Sequence, residues 1–257
     1  MTPILEVEHL HKSFTLHAVG GRRVVSLADV GLHVDRGEHV ALAGASGAGK
    51  SSLLRCIYRT YLPDAGVVRL HTSTGPVELT SLSDRRMAAI RGRELGYVSQ
   101  FLAAPPRTGP LQLVTTAAKR RGLDGPDATD AAAASLHKLG LAENLWDIDC
   151  HVLSGGERQR VNLAAGTVSP PRLLLLDEPV SALDPANREK ALLLIEELRS
   201  QDVSVLAVYH DMTIIARLAS RVLVMADGRI VADDSPHNVL AAHHAALTEH
   251  LLEETPA

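Results

Sequence analysis

The chain has 257 residues and a hydrophobic fraction of 46%, enough for one large α/β domain whose core is aliphatic, because aromatic residues make up only 3%. Its formal net charge of −4 gives no electrostatic basis for a nucleic-acid partner, and its apolar runs are far too short to cross a membrane. The amino terminus lacks the regions of a secretory signal, and Cys56 and Cys150 are expected to be reduced thiols, so we expect a soluble cytoplasmic protein without direct membrane insertion.

The first hundred residues predict two antiparallel strands followed by alternating strands and helices. Ile4–His9 and Val24–Val34 alternate apolar with polar residues and are rich in β-branched side chains, which is typical of such strands. The next predicted elements are strand His39–Ala43, a helix from Lys50 to about Tyr61, a turn at Pro63–Gly66, strand Val67–Leu70, a weak helix at Asp84–Arg91 and strand Leu95–Val98.

Residues 101–151 predict a helical insertion. A proline-rich loop, Ala104–Pro110, precedes two alanine-rich stretches with high helix propensity, Leu111–Arg121 and Asp127–Leu139. The later predicted elements are strand Arg172–Leu176, helix Pro185–Gln201, strand Val203–Val208, helix Met212–Ala219, strand Val222–Met225 and a helical tail from Asp234. Nearly continuous apolar strands separated by helices predict a parallel sheet covered on both faces.

A glycine loop lies between the predicted strand His39–Ala43 and the helix that follows it. Gly44–Ser51 matches the pattern G-x-x-x-x-G-K-[ST], in which glycines let the backbone wrap around phosphates. Lys50 would meet the β- and γ-phosphate oxygens, and the Ser51 hydroxyl can bind Mg²⁺. The alternative, a glycine turn with a solvated lysine, is poorly compatible with this position between a strand and a helix.

An acidic pair follows the apolar strand Leu173–Leu176. Asp177 can hold Mg²⁺ directly or through water, and Glu178 can polarise the attacking water as a general base. An isolated pair of this kind is more often a solvated turn. Together with the glycine loop it indicates nucleotide hydrolysis.

A second phosphate-binding turn lies about a hundred residues beyond the first. Ser154 is a good helix N-cap, and Gly155 and Gly156 expose N–H groups at a helix start, where a phosphate can bind. Taken alone, this turn is more readily interpreted as an ordinary helix cap. One nucleotide cannot easily use both turns of a single chain, which suggests an ATPase that works as a head-to-tail pair.

In this order the motifs resemble those of the ATP-binding-cassette (ABC) ATPases over nearly the whole chain. Gly44–Ser51 resembles the Walker A loop, Leu153–Glu157 the signature, and Leu173–Glu178 Walker B with its catalytic base. Gln100, Asp184 and His210 resemble the Q-loop glutamine, the D-loop aspartate and the switch histidine. Phe14 has the position of the aromatic residue that stacks on adenine, although a core phenylalanine is nearly as compatible with it.

The resemblance implies one cassette over residues 1–257, with a mixed core sheet and antiparallel β subdomain from 1–100 and 152–233, a helical subdomain at 101–151 and a tail at 234–257. It implies that Lys50, Glu178 and His210 are catalytic, and that Mg²⁺ is held by Ser51, Gln100 and Asp177. The residues expected to contact ATP are Phe14, Gly44, Ala45, Ser46, Gly47, Ala48, Gly49, Lys50, Ser51, Ser52 and Gln100. Those expected to act on the partner's ATP are Ser154, Gly155, Gly156, Glu157 and Asp184.

Three short stretches are similar to the PhnL-type cassette of the bacterial phosphonate carbon–phosphorus lyase system: Leu54–Asp64, Gly96–Leu102 followed by Pro106-Arg107, and Glu143–Trp146. That resemblance implies a second cassette as partner, from the same chain or a related lyase cassette, together with the lyase core complex. ATP-driven closure would remodel the complex that forms α-D-ribose 1-methylphosphonate 5-triphosphate and breaks down phosphonates. The tail beyond Asp233, and Val180 where cassettes usually carry threonine, depart from the pattern.

The alternative is the ATPase motor of a membrane transporter of the importer or lipoprotein-release type, which would use the same residues. A DNA-repair cassette would need a long coiled-coil insertion and a basic stripe, and the sequence has neither. A simple P-loop kinase would have no use for Leu153–Glu157.

Overall fold

The computed structural model describes residues 3–16 and 21–241 of the chain. The strands are β1 (Pro3–Leu16), β2 (Arg22–Asp35), β3 (His39–Ala43), β4 (Ala65–Thr72), β5 (Gly75–Glu78), β6 (Leu95–Val98), β7 (Leu173–Asp177), β8 (Ser204–Val208), β9 (Arg221–Ala226) and β10 (Arg229–Asp234). The helices are α1 (Lys50–Ile57), α2 (Asp84–Arg93), α3 (Pro110–Arg120), α4 (Gly125–Lys138), α5 (Gly155–Thr167), α6 (Pro185–Ser200) and α7 (Met212–Leu218), with a 3-10 turn at Glu143–Leu145.

The larger sheet has the strand order β10-β9-β3-β8-β7-β6. Its strands run parallel except β10, which pairs antiparallel with β9. Every residue of β3, β7 and β8 is buried, as expected for central strands with both faces covered. The carboxyl ends of β3 and β7 therefore lie at one edge of the sheet, where ligands bind in open α/β folds.

The smaller sheet is antiparallel, with the order β2-β1-β4-β5, as the sequence predicts for the β subdomain. Its apolar side chains join α1 and one face of the larger sheet in a core that includes Leu5, Leu27, Leu53 and Leu206. A second core on the other face joins the insertion to α5, α6 and α7. Ala118 and Ala132, on α3 and α4, are completely buried there, because small residues let the two helices pack closely.

The structure adds two strands that the sequence analysis does not predict, and both are edge strands. β5 contains Gly75 and Pro76, and proline is confined to edge strands because it cannot donate to the ladder. β10 is mostly exposed and carries no clear alternation of apolar residues. These two strands form because each pairs with a neighbouring strand, and not because their own residue pattern favours a strand.

Three predicted boundaries were clearly wrong. β1 continues to Leu16, seven residues beyond the predicted end at His9. α1 ends at Ile57 rather than near Tyr61, because Arg59 adopts a left-handed backbone with φ of 61°. Asp234, predicted to begin the tail helix, is the last residue of β10. Residues 236–241 are helical, and the rest of the predicted tail helix lies outside the described residues.

Candidate active site

The glycine loop connects β3 to α1 and has a backbone that only glycine accepts at two points. Gly44 has φ of 135° and Gly49 φ of 102°. A Cβ atom would lie 2.1 Å from the Met225 carbonyl oxygen at Gly44, and 2.4 Å from the Ser26 carbonyl oxygen at Gly49. The loop is therefore packed tightly against neighbouring backbone while its amides precede a helix start, the arrangement that binds phosphate.

Lys50 places a cation inside this loop. The residue is only 5% exposed, and its ammonium donates to the carbonyl oxygens of Gly44 at 2.7 Å and Ala45 at 2.8 Å. Burial lowers the pKa of Lys50, an effect that the carboxylates of Glu178 and Asp177 oppose. The ammonium is thus held beside the loop amides, where an anionic ligand would replace carbonyl oxygens as its acceptor.

Asp177 ends β7 and is fully buried. One carboxylate oxygen accepts the Ser51 hydroxyl at 2.8 Å, and the other accepts the Tyr97 hydroxyl at 2.9 Å. Burial and the nearby Asp177 carboxylate raise the pKa of Tyr97, so the phenol keeps its proton. A buried carboxylate beside a serine hydroxyl is an oxygen donor set that fits Mg²⁺.

Glu178 lies between Gln100 and His210. Its carboxylate is 2.7 Å from His210 Nε2 on one oxygen and accepts the Gln100 amide at 3.4 Å on the other. Its backbone is left-handed, with φ of 53°, which costs energy for a residue other than glycine and often marks functional positions. Glu178 lines the same cleft as Lys50 of the glycine loop.

One cleft of about 410 Å³ brings together most of the residues predicted to hold ATP. It is lined by Phe14, Val24, Val25, Ser26, Ser46, Gly47, Gly49, Lys50, Ser51, Ser52, Gln100, Glu178 and His210. Phe14 is half-buried and meets the ring of Tyr61 edge-on, with centroids 5.1 Å apart. Phe14 and His210 are far apart in the sequence, but in the fold both line this cleft.

The signature turn, Ser154–Glu157, does not line this cleft. It begins α5 as a complete capping box: the Ser154 hydroxyl accepts the Glu157 amide at 3.3 Å, and the Glu157 carboxylate accepts the Ser154 amide at 2.8 Å. Ser154 and Gly155 are exposed. The turn is therefore a formed helix start that faces outward, and its action on a partner's nucleotide stays a prediction.

Asp184 caps α6 and accepts the amides of Ala186 and Asn187, each at 3.1 Å. The Asn187 side-chain amide also donates to it, at 2.6 Å. These bonds lower the pKa of Asp184. The position of Asp184 near the nucleotide of a partner subunit likewise stays a prediction.

The sequence analysis missed three residues that organise the site. Tyr97 holds Asp177, the Ser26 hydroxyl donates to Ser52 at 2.8 Å, and the buried Gln159 amide donates to the Pro179 carbonyl oxygen at 2.9 Å. Gln159 links α5 to the segment after Glu178. No local sequence pattern marks any of the three: the buried face of α5 that carries Gln159 also carries the polar Asn162.

Among residues 3–16 and 21–241, no group of three or more His, Cys, Asp and Glu side chains is arranged to hold a metal ion. No helix in the same part of the chain has the length and apolar character needed to span a membrane.

The amino-acid sequence matches the family model described as ABC transporter over residues 27–181. It is 34% identical to the methionine import ATP-binding protein MetN 3 of Pectobacterium atrosepticum, over 98% of this chain and 71% of that protein. It is 36% identical to the lipoprotein-releasing system ATP-binding protein LolD of Saccharophagus degradans, over 83% of this chain and 90% of that protein.

Solved structures give the same result for the fold. The ATP-binding cassette MJ0796, in a dimeric post-hydrolysis state bound to ADP and Pi, has a TM-score of 0.81 and 25% identity over 90% of this chain and 98% of that chain. A second dimeric structure of that bacterial ABC transporter cassette has a TM-score of 0.80 and 26% identity, with the same coverage.

Proposed function

This chain is an ATPase of the ABC transporter family, and we propose that it is the motor of a transport system, with a permease as its partner. The single observation that carries the proposed mechanism is the cleft that collects Lys50, Gln100, Glu178 and His210. The printed functions of the relatives, methionine import and lipoprotein release, support a permease as the partner.

The residues of the cleft would have different roles in ATP hydrolysis. The amides of the glycine loop and the Lys50 ammonium would bind the β- and γ-phosphates and leave the terminal phosphorus accessible. Glu178 would accept the proton of the attacking water, and His210, 2.7 Å from the Glu178 carboxylate, would hold that carboxylate in position. Phe14 would stack on the adenine.

Ser51 and Asp177 would hold Mg²⁺, with Gln100 at the edge of the cleft nearest Glu178. When bound, the ion neutralises charge on the phosphate oxygens as the terminal phosphoryl group is transferred. The hydrogen bond between Ser51 and Asp177 already places these two oxygen donors 2.8 Å apart.

A second cassette would complete the site. The exposed signature turn offers the amides of Gly155 and Gly156 at a helix start, but it lies outside the cleft of its own chain. A two-fold dimer would bring the signature turn of one subunit to the nucleotide of the other, and do so twice through one isologous interface. Cassettes of this family dimerise, which supports that arrangement.

The partner would bind in a groove between the core and the helical insertion. The groove has a volume of about 920 Å³ and contains four arginines, Arg55, Arg91, Arg120 and Arg121, but no aspartate or glutamate. Within residues 3–16 and 21–241 none of the four forms an ion pair. Arg55, Arg91 and Arg121 donate to uncharged groups of their own chain, whereas Arg120 is exposed and makes no side-chain hydrogen bond to the described residues. Phe101, 75% exposed, lies at the same groove, so an acidic segment with an apolar residue would fit it.

The second candidate is a cassette of the phosphonate carbon–phosphorus lyase system. One observation favours it: the stretch that resembles that cassette, from Gly96 to Leu102, contributes most of its residues to the groove. A partner-specific sequence belongs on the partner-binding surface. In this case the occupant would be the lyase core complex, and ATP-driven closure would remodel it during formation of the ribose methylphosphonate triphosphate.

The test is to purify the partner with a cassette held in its ATP state. Glu178→Gln removes the general base but not the phosphate contacts, so we expect ATP to remain bound while hydrolysis falls by about 100-fold or more. The tagged variant is expressed in its native host and recovered with ATP and Mg²⁺, from the membrane fraction in detergent and from the soluble fraction separately. A permease in the membrane fraction supports the transport motor, and lyase subunits in the soluble fraction support the second candidate.

Charge reversal provides the control for the groove. Arg120→Glu, in the groove, should lose the partner while ATP hydrolysis by the cassette alone is retained. Lys119→Glu changes the charge by the same amount on the neighbouring exposed residue, which does not line the groove, and should keep the partner. Equal recovery of the partner by both variants would contradict the groove as the docking surface.

A further inference from the structure

Tyr97 lies on β6, one strand away from the carboxylate that it contacts. β6 pairs in parallel with β7, with Tyr97 beside Leu175, so that the Tyr97 side chain extends toward the end of β7. There its hydroxyl donates to one oxygen of Asp177 at 2.9 Å, while the Ser51 hydroxyl donates to the other oxygen at 2.8 Å. The two hydroxyls together satisfy one oxygen each of a completely buried carboxylate.

The Tyr97 ring is itself held in place. It packs against the ring of Tyr58 with centroids 5.1 Å apart. Arg55 lines the same groove as Tyr97 and donates to the Tyr61 hydroxyl at 2.8 Å. The ring that carries the donor to Asp177 is therefore packed against a neighbouring ring before any ligand arrives.

We infer that Tyr97 is a positioning residue for the metal-binding carboxylate of Asp177, an inference that rests on the proposed nucleotide site. A carboxylate held by Ser51 alone could rotate about its last bond and exchange its two oxygens. The Tyr97 hydroxyl binds the oxygen remote from Ser51, so the oxygen beside the serine stays directed to the metal position. Partners of this kind, one step removed from the ion, commonly change metal affinity by about 10- to 100-fold when they are lost.

Tyr97 also lines the arginine-containing groove proposed to receive the partner. The same residue therefore lines the groove and donates through its hydroxyl to Asp177. A partner that presses on the ring would act on the Asp177 carboxylate through one side chain. This connection is separate from Gln100, whose amide reaches Glu178 rather than Asp177.

The experiment measures how much Mg²⁺ strengthens ATP binding. In a Glu178→Gln background, which prevents turnover, the dissociation constant of ATP is determined by titration calorimetry in excess Mg²⁺ and again in EDTA. The ratio of the two constants reports the metal site alone. We expect Tyr97→Phe to reduce that ratio by about 10-fold while the affinity for metal-free ATP changes by less than about twofold.

Tyr58→Phe is the matched control, because it removes a hydroxyl from the neighbouring ring, which makes no hydrogen bond to Asp177. Its ratio should equal that of the parent. A Tyr97→Phe ratio within twofold of the parent, or an equal loss in Tyr58→Phe, would overturn the inference and leave the proposed function intact. A parent whose ATP affinity gains nothing from Mg²⁺ would overturn the proposed site and the inference together.

Discussion

At the scale of single residues, the chemistry of the site follows from where the fold puts a few charges. Lys50 and Asp177 are both nearly or fully buried, yet each has two hydrogen-bond partners. Burying a charge is costly unless it is satisfied in this way. The two opposite charges therefore stay in place beside the glycine loop, ready for an anion and a cation.

Replacing Lys50 tests the phosphate end of the cleft. Lys50→Ala removes the charged donor nearest the loop amides, and hydrogen bonds to a charged group contribute about 1.5–3 kcal/mol each. We expect ATP affinity to fall by at least about 10-fold and hydrolysis to be lost, measured by nucleotide titration and phosphate release. Lys119→Ala, an exposed lysine far along the chain, is the control and should hydrolyse ATP normally. Normal turnover by Lys50→Ala would contradict the site.

Residues of the site differ in how far the sequence reveals them. The spacing of Gly44, Gly49 and Lys50 is local, because all three act within one turn between a strand and a helix. Tyr97 and Gln159 act through tertiary register, which no local pattern encodes: one needs β6 beside β7, and the other needs α5 packed under the segment after Glu178. The sequence consequently predicts the phosphate-binding parts and misses the side chains that position them.

At the scale of elements, the buried central strands were predictable and the edge strands β5 and β10 were not. β3, β7 and β8 are apolar at nearly every position because both of their faces are covered, and that pattern is visible in the sequence. β5 and β10 gain their conformation from a single neighbouring strand. Each of the three central strands also has one buried polar residue at an end: Asp177 in β7, Ser204 in β8 and His39, only 2% exposed, in β3.

His39 makes the stability of the sheet depend on pH. Burial, assisted by the charge of Arg199, lowers the pKa of His39 from 6.5 to about 4. Between these two pKa values the folded state therefore binds fewer protons than the unfolded state. The contribution of the neutral His39 to the free energy of unfolding is complete above pH 6.5 and is lost as the pH falls toward 4. Between pH 7 and pH 5 the expected loss is about 2 kcal/mol.

The check is urea denaturation of the wild type and His39→Asn at both pH values. Asparagine is polar but does not titrate, so the variant should lose less stability between pH 7 and pH 5. His151→Asn, at an exposed histidine, should follow the wild type. Parallel losses in wild type and His39→Asn would contradict a buried neutral His39.

At the scale of the whole molecule, the cleft and the signature turn are two separate parts of one chain. The cleft lies where β3, β7 and the β subdomain meet, whereas the signature turn starts α5 beside the helical insertion. Gln159 on α5 donates to the backbone carbonyl oxygens of Glu178 and Pro179, so the helix that begins at the signature turn is bonded to the backbone that carries the catalytic glutamate of its own chain.

The dimer can be tested by mixing two inactive variants. Lys50→Ala disables the glycine loop of a subunit, and Ser154→Arg places a bulky cation in the signature turn. If each site combines the loop of one subunit with the turn of the other, a mixed dimer holds one site with both defects and one intact site. An equal mixture would form mixed dimers in half of all pairs, so roughly a quarter of wild-type hydrolysis should return if the sites are independent.

Each variant alone should remain inactive, and a mixture of two differently tagged Lys50→Ala chains should recover nothing, although it forms dimers equally well. Ser154→Asn serves as the structural control, because asparagine is also a good N-cap and should keep the start of α5 intact without the added charge. The readout is phosphate release, with mixed dimers verified by sequential purification on both tags. In the predicted arrangement, each mixed dimer of Lys50→Ala with Ser154→Arg holds one intact glycine loop opposite one intact signature turn. If verified mixed dimers hydrolyse no ATP, the signature turn does not serve the opposite subunit.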